Sequence, residues 1–111
     1  MQKIHLIIYI TVLFALASCG TERAMKKAEQ HQAIGEYYDA AQQYRKAYQH
    51  TPAKERTERG QRAVKMARCY AKINQTQRAI PAFRNAIRYQ QATLNDQLIY
   101  ARLLLKDGQY K

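Results

Sequence analysis

Two thiols, three imidazoles, some spaced carboxylates and a run of cations are the groups through which this chain could do chemistry. The histidines are His5, His31 and His50. None falls in an HExxH arrangement, and the sequence holds neither a GxSxG elbow nor a phosphate-binding glycine loop. His31 is expected where helices pack. His50 is expected at a helix end near Pro52, where the helix dipole favours an imidazolium. Glu22, Glu29 and Glu36 stand seven apart, which suits a solvated face better than an acid/base pair. Cys69 lies in an alanine-rich segment and reads as a small buried residue rather than a reactive thiol. No set of His, Cys and carboxylates has metal-ligand spacing. The expectation is therefore a non-enzyme with no metal and no cofactor.

The cations are more informative. Lys65, Arg68 and Lys72 have spacings of three and four, one stripe on a helix. Arg68 and Lys72 recur 34 residues on as Arg102 and Lys106. Stacked helices would bring Lys65, Arg68, Lys72, Arg102 and Lys106 to one basic surface, suited to an acidic protein or a carboxylate-bearing peptide. The other use of such a stripe is a solvated face that keeps the protein soluble.

Cys19 has a different setting. One lysine, Lys3, precedes a mostly apolar run over residues 4–17, interrupted by His5 and Thr11. The run is shorter than the roughly 20 residues of a membrane-spanning helix and has the layout of a secretory signal. It ends in Leu16-Ala17-Ser18-Cys19, which resembles the bacterial lipobox. There the small residues enter a peptidase cleft, the thiol accepts a diacylglyceryl group, and cleavage before Cys19 frees an amine for a further acyl chain. Several acyl chains would hold the mature protein stably on a membrane. Gly20, where an Asp would retain a lipoprotein at the inner membrane, favours the outer membrane, and the lack of an acidic run after Cys19 favours its periplasmic face. The alternative is an ordinary signal peptide or an uncleaved anchor, with Cys19 incidental.

The rest of the chain must supply the fold. Of 111 residues, 47% are apolar and 24% charged, as in a single globular domain, while Gly 4 and Pro 2 argue against a loop-rich β fold. Lys plus Arg is 19 against 8 acids. Residues 1–18 remove one lysine and no acid, so the excess of cations belongs to the folded part.

That part repeats. Ala40, Tyr44 and Ala47 align with Ala79, Phe83 and Ala86, and each trio shares one helical face. Gly35, Asn74 and Gly108 each follow a helical stretch and suit the left-handed conformation that ends a helix. The step from Asn74 to Gly108 is 34 residues; that from Gly35 to Asn74 carries five more, expected around 53–60 as a longer linker or helix start. Leading helices are expected near 21–34, 54–73 and 95–106, with Ala28, Ala67 and Ala101 as their small contact residues. His31, Tyr70 and Leu104 follow one turn later. Trailing helices are expected near 38–50 and 77–90, with Pro81 near the end of a first turn. A third unit opens at Gly108-Gln109-Tyr110 without its trailing helix, so Ile99, Tyr100 and Leu103 to Leu105 are expected to lack part of their cover.

With Gly35-Glu36-Tyr37-Tyr38-Asp39-Ala40 and the 34-residue step, the chain resembles a tetratricopeptide array: all-α helix-turn-helix repeats, about two and a half, after a signal peptide. The organisation expected is a lipoprotein signal at 1–18, a lipidated cysteine and short tether at 19–23, and repeats at 24–111. The lipobox, the first repeat and the segment from Arg62 to Tyr89 are together similar to the N-terminal repeats of OmpA-type lipoproteins of Bacteroidetes. Some of these are linked to the type IX secretion machinery. The resemblance implies an outer-membrane adaptor that holds another envelope protein. Any peptidoglycan link would lie in domains absent here. Chaperone-type recognition of a peptide C-terminus is not implied, because Met25 and Glu29 stand where that clamp needs Lys and Asn. The tyrosines sit at helix-packing spacings, so nucleic acid is not an expected partner; anionic membrane headgroups near Cys19 are an alternative contact for the basic residues.

Overall fold

The computed structural model describes the backbone of residues 2–108 and the side chains of residues 3–9 and 20–108. The chain is all-α: α1 (Gln2–Ala33), α2 (Tyr37–Gln49), α3 (Arg56–Lys72), α4 (Thr76–Arg88) and α5 (Leu94–Lys106). Sequence neighbours pack against one another in order, as in a helical-repeat array.

The turns follow from a few residues. Gly35 (φ 80°), Asn74 (φ 58°) and Gln90 (φ 60°) adopt the left-handed conformation. In each case the next N–H reaches back to the helix. Glu36 donates to the His31 carbonyl at 2.9 Å, Gln75 to Tyr70 at 3.0 Å and Gln91 to Ala86 at 2.9 Å. These bonds satisfy carbonyls that the helix end would leave unpaired. Gly108 (φ 75°) takes the same conformation after α5. Gly35, Asn74 and Gly108 therefore cap as expected; the left-handed Gln90 is an addition.

Both aromatic trios form the core. Ala40, Tyr44 and Ala47 of α2, and Ala79, Phe83 and Ala86 of α4, are all at most 1% exposed. Ala28 and Ala67 meet them from the leading helices. The Tyr44 hydroxyl donates to Gln32 Oε1 at 2.7 Å, so the ring's polar end is satisfied. The extra residues between the first two units lengthen α3, which has 17 residues where α2 and α4 have 13. Gly60 lies in this added turn. A Cβ there would stand 2.5 Å from Gln91 Cγ and 2.7 Å from Tyr89 Cβ, so the glycine lets α3 meet the end of α4.

Three expectations change. Ala101 is exposed, because α5 turns Ile99, Tyr100 and Leu103 towards its neighbours and no described helix covers the Ala101 face. Pro81 lies one position into the second turn of α4, so the Gln77 carbonyl loses its intrahelical donor, yet α4 continues through it. The tether expected at 19–23 is part of α1, an unbroken helix of 32 residues, and Thr21 is already buried at 8% exposure. Gly20 alone does not break it; a helical glycine costs only about 1 kcal/mol. The Cys19 side chain and residues 109–111, including Gln109 and Tyr110, lie outside the described residues. No helix is long and apolar enough to cross a membrane among the described residues.

Candidate functional site: a groove across the leading helices

The leading helices α1, α3 and α5 share a groove of about 450 Å³. Gln32 of α1 and Tyr37 of α2 form one side, Arg68, Cys69, Ala71 and Lys72 of α3 the floor, and Asn95, Asp96 and Ile99 of α5 the other side. The lining mixes amide donors and acceptors, a phenol, one ammonium and an apolar branch. Such a set can hydrogen-bond an extended backbone and seat one apolar side chain beside it.

Arg68 is the central group, and its role is corrected. Its guanidinium is not an open cation: Nε donates to Asp96 Oδ1 at 2.8 Å and Nη2 to Asp96 Oδ2 at 2.7 Å. Such a two-pronged pair has the strong geometry available to arginine and carboxylate. The Asp96 side chain is 2% exposed, that of Arg68 42%. Asp96 Oδ2 also accepts from the Thr93 N–H at 2.8 Å and the Thr93 hydroxyl at 2.9 Å. In return the Asp96 N–H donates to Thr93 Oγ1, which completes a capping box at the start of α5. Burial pushes the Asp96 carboxyl up, but the Arg68 and Thr93 hydrogen bonds outweigh it and hold it below the usual carboxylate range. One buried carboxylate thus caps α5 and ties it to α3.

The other basic residues divide. Lys65 approaches Glu29 Oε1 at 3.9 Å and lies 6.0 Å from the centre of the Tyr44 ring. Lys72, Arg102 and Lys106 are exposed and make no ion pair among the described residues. Of these three only Lys72 lines the groove. The expected ladder of five therefore resolves into one half-paired lysine, one structural arginine and three open cations.

Cys69 belongs to the groove floor at 1% exposure, and burial pushes its thiol up to about 11. A thiol with so little thiolate is a poor nucleophile, as its setting in the sequence suggested. Sequence reasoning missed one cluster. His31, Glu36 and Asp39 converge at the α1–α2 turn with candidate ligand atoms within 4.8 Å of one another. Ligands sharing a zinc ion lie roughly 3.3 Å apart, and the two carboxylates stand at the start of α2, where its dipole favours them. A His31–Glu36 contact of 3.4 Å accounts for the imidazole.

A second groove of about 430 Å³ runs on the other side of α3, between α2 and α4, lined by Arg45, Tyr48, Tyr70, Arg78 and Asn85 among others. Arg78 lies 6.0 Å from the centre of the Tyr70 ring, and Tyr70 accepts from Gln42 Nε2 at 3.2 Å.

Compared with known protein families, curated proteins and solved structures, the chain finds no match.

Proposed function

We propose that this chain is a lipid-anchored helical-repeat scaffold that holds another cell-envelope protein, in outer-membrane or secretion-system assembly. The observation that carries the reading is the groove across α1, α3 and α5. It is open, mixed in polarity, and bordered by the unpaired ammonium of Lys72. An acidic segment in extended conformation fits it: amides at Gln32 and Asn95 meet its backbone, and Lys72 meets its charge. Arg102 and Lys106 extend the positive field along α5 and steer an acidic partner towards it. The anchor rests on Leu16-Ala17-Ser18-Cys19, and the envelope setting on the resemblance to OmpA-type lipoproteins. The test is Lys72→Glu with Arg102→Glu, two exposed positions whose change leaves the packing intact. Partner recovery from crosslinked envelopes should fall at least tenfold; unchanged recovery would remove the groove from the argument. Intact mass of the native protein reads the anchor separately, through acyl chains on residue 19.

A second reading has one observation in its favour. Leu94 (74%), Leu98 (52%) and Leu105 (59%) are exposed along one side of α5 with Ala101. Such a stripe suits transient contact with unfolded outer-membrane or secreted clients, a holdase-like role. Many weak clients and no stoichiometric partner would be its signature in pull-downs.

A further inference from the structure

The charge of this molecule is polarised along its helices. The helices alternate in direction, and contacts fix which ends meet. Arg56 of α3 donates to the Arg88 carbonyl at the end of α4. Gly60 abuts Tyr89 and Gln91. Arg59 and Arg62 donate to Thr51 after α2. The α1–α2 turn at 34–36 places residues near Thr21 opposite that same corner. One pole therefore gathers the first packed turns of α1, the end of α2, the start of α3, the end of α4 and the start of α5.

That pole is basic. Arg23, Lys27, Lys46, Lys54, Arg56 and Arg88 are all exposed there. The acids of the same pole are Glu22, Glu55 and Glu58. At the other pole Glu29, Glu36, Asp39 and Asp107 balance Lys72, Arg78, Arg102 and Lys106. The remaining carboxylate, Asp96, is consumed by Arg68. Six exposed cations thus face three acids at this pole, to which Arg59 and Arg62 at the start of α3 add, while four face four at the other.

A second, independent feature points the same way. In the chain that keeps residues 1–18, α1 continues beyond the packed helices from this pole and its outer turns expose Ile4, Leu6, Ile7, Ile8 and Tyr9, each at least 53%; in a chain cleaved before Cys19, acyl chains on residue 19 would leave from the same place. Leu94, 74% exposed, stands at the same pole at the start of α5. Apolar groups that leave a protein through a ring of cations match an anionic bilayer in layer order: chains inside, headgroups at the rim.

We infer that the pole from which α1 emerges is a docking surface for an anionic lipid bilayer, so that the repeats stand on the membrane with the α1–α2 and α3–α4 turns pointing away. The inference does not depend on what the groove binds, nor on whether acyl chains or the apolar turns of α1 enter the bilayer. Each cation at an anionic surface is worth about 1 kcal/mol, about fivefold in partition.

The test is co-sedimentation of the full chain with vesicles of phosphatidylcholine alone and with 30% phosphatidylglycerol. The reading is the ratio of the two partition constants, which cancels apolar insertion. The variant Lys46→Gln, Lys54→Gln, Arg56→Gln, Arg88→Gln should lower that ratio by about 600-fold, four factors of about five. The control, Lys72→Gln, Arg78→Gln, Arg102→Gln, Lys106→Gln, removes the same charge from the other pole and should leave it within threefold. Equal losses in both variants would mean net charge alone, and would overturn the inference. So would a wild-type ratio near one, or a single-stranded RNA bound more tightly than the anionic vesicles. Hydrogen exchange on the unaltered chain gives a reading that no misfolded variant can spoil. Vesicles should protect residues 46–60 and 86–95 and leave 29–39 and 72–78 unchanged; the reverse footprint would overturn the inference.

Discussion

Arg68→Ala should destabilise the protein more than Asp96→Ala, although both remove the same two hydrogen bonds. The asymmetry comes from exposure. Arg68 is 42% exposed and can turn its guanidinium to water once Asp96 is gone. Asp96 is 2% exposed and has no such exit. Removing Arg68 leaves a buried carboxylate with only the Thr93 bonds, in the range of about 3 kcal/mol for an uncompensated buried charge. Removing Asp96 forfeits the α5 cap, about 1 kcal/mol, and the net worth of a half-exposed ion pair, which adds about another 1 kcal/mol. The double variant should lose less than the sum of the singles, by about 1–2 kcal/mol, because the residues share one interaction. Urea unfolding followed by circular dichroism gives these values, and hydrogen exchange should place the loss in α5. Acid provides an independent check. The carboxyl of Asp96 is depressed on folding, so its contribution is complete above the unfolded value of about 3.9 and disappears as pH falls through the lower folded value. Wild type should therefore lose stability below about pH 4 more steeply than Asp96→Asn, with no difference in slope between pH 6 and 8. A larger loss for Asp96→Ala than for Arg68→Ala, or parallel acid curves, would refute the reasoning.

Other expectations follow from the same packing. Gly60→Ala adds a methyl 2.7 Å from Tyr89 Cβ, a backbone-fixed atom, so despite the better helix propensity of alanine it should cost about 1–2 kcal/mol; a raised melting temperature would contradict this. Tyr44→Phe keeps the ring and loses the bond to Gln32, and should cost about 1 kcal/mol in urea unfolding, whereas Phe83→Ala should cost about 3–5 kcal/mol. Cys69, with its thiol raised to about 11 and 1% exposed, should resist an aromatic disulfide reagent at pH 7 until urea unfolds the chain. Prompt labelling of Cys69 in the native state would mean that the groove floor opens.

Local features of the fold were legible; contacts across long separations were not. Tyr44 and Phe83 announce themselves because small residues flank them at fixed helical spacing, a pattern that survives in one sequence. Gly35, Asn74 and Gly108 are readable because few residue types take a left-handed cap. Gln90 takes it too, held by its 2.9 Å bond to the Ile87 carbonyl, and nothing in its type says so. Arg68 was read by charge and spacing as part of an open stripe. Its partner is 28 positions away, and the one visible sign was the capping pattern from Thr93 to Asp96, which marks Asp96 for α5 but not for α3. Ala101 was placed in a contact because the 34-residue step projects the positions of Ala28 and Ala67 onto it; that projection needs a covering helix.

The unbroken course of α1 turns the molecule into a ruler. Thr21 is buried two residues after Cys19, and at 1.5 Å per residue only about 3 Å of axis separates them. A lipid on Cys19, as proposed, would have no slack and no swivel relative to the packed repeats. If α1 stands on the bilayer as inferred, Gln32 in the groove would lie about 20 Å of helix rise above residue 19. A partner in the same membrane would meet the groove at that height and with a fixed heading, having already lost much of the rotational freedom that association in solution must remove. One whose binding segment lies closer to the surface would be out of register, however well its chemistry matched.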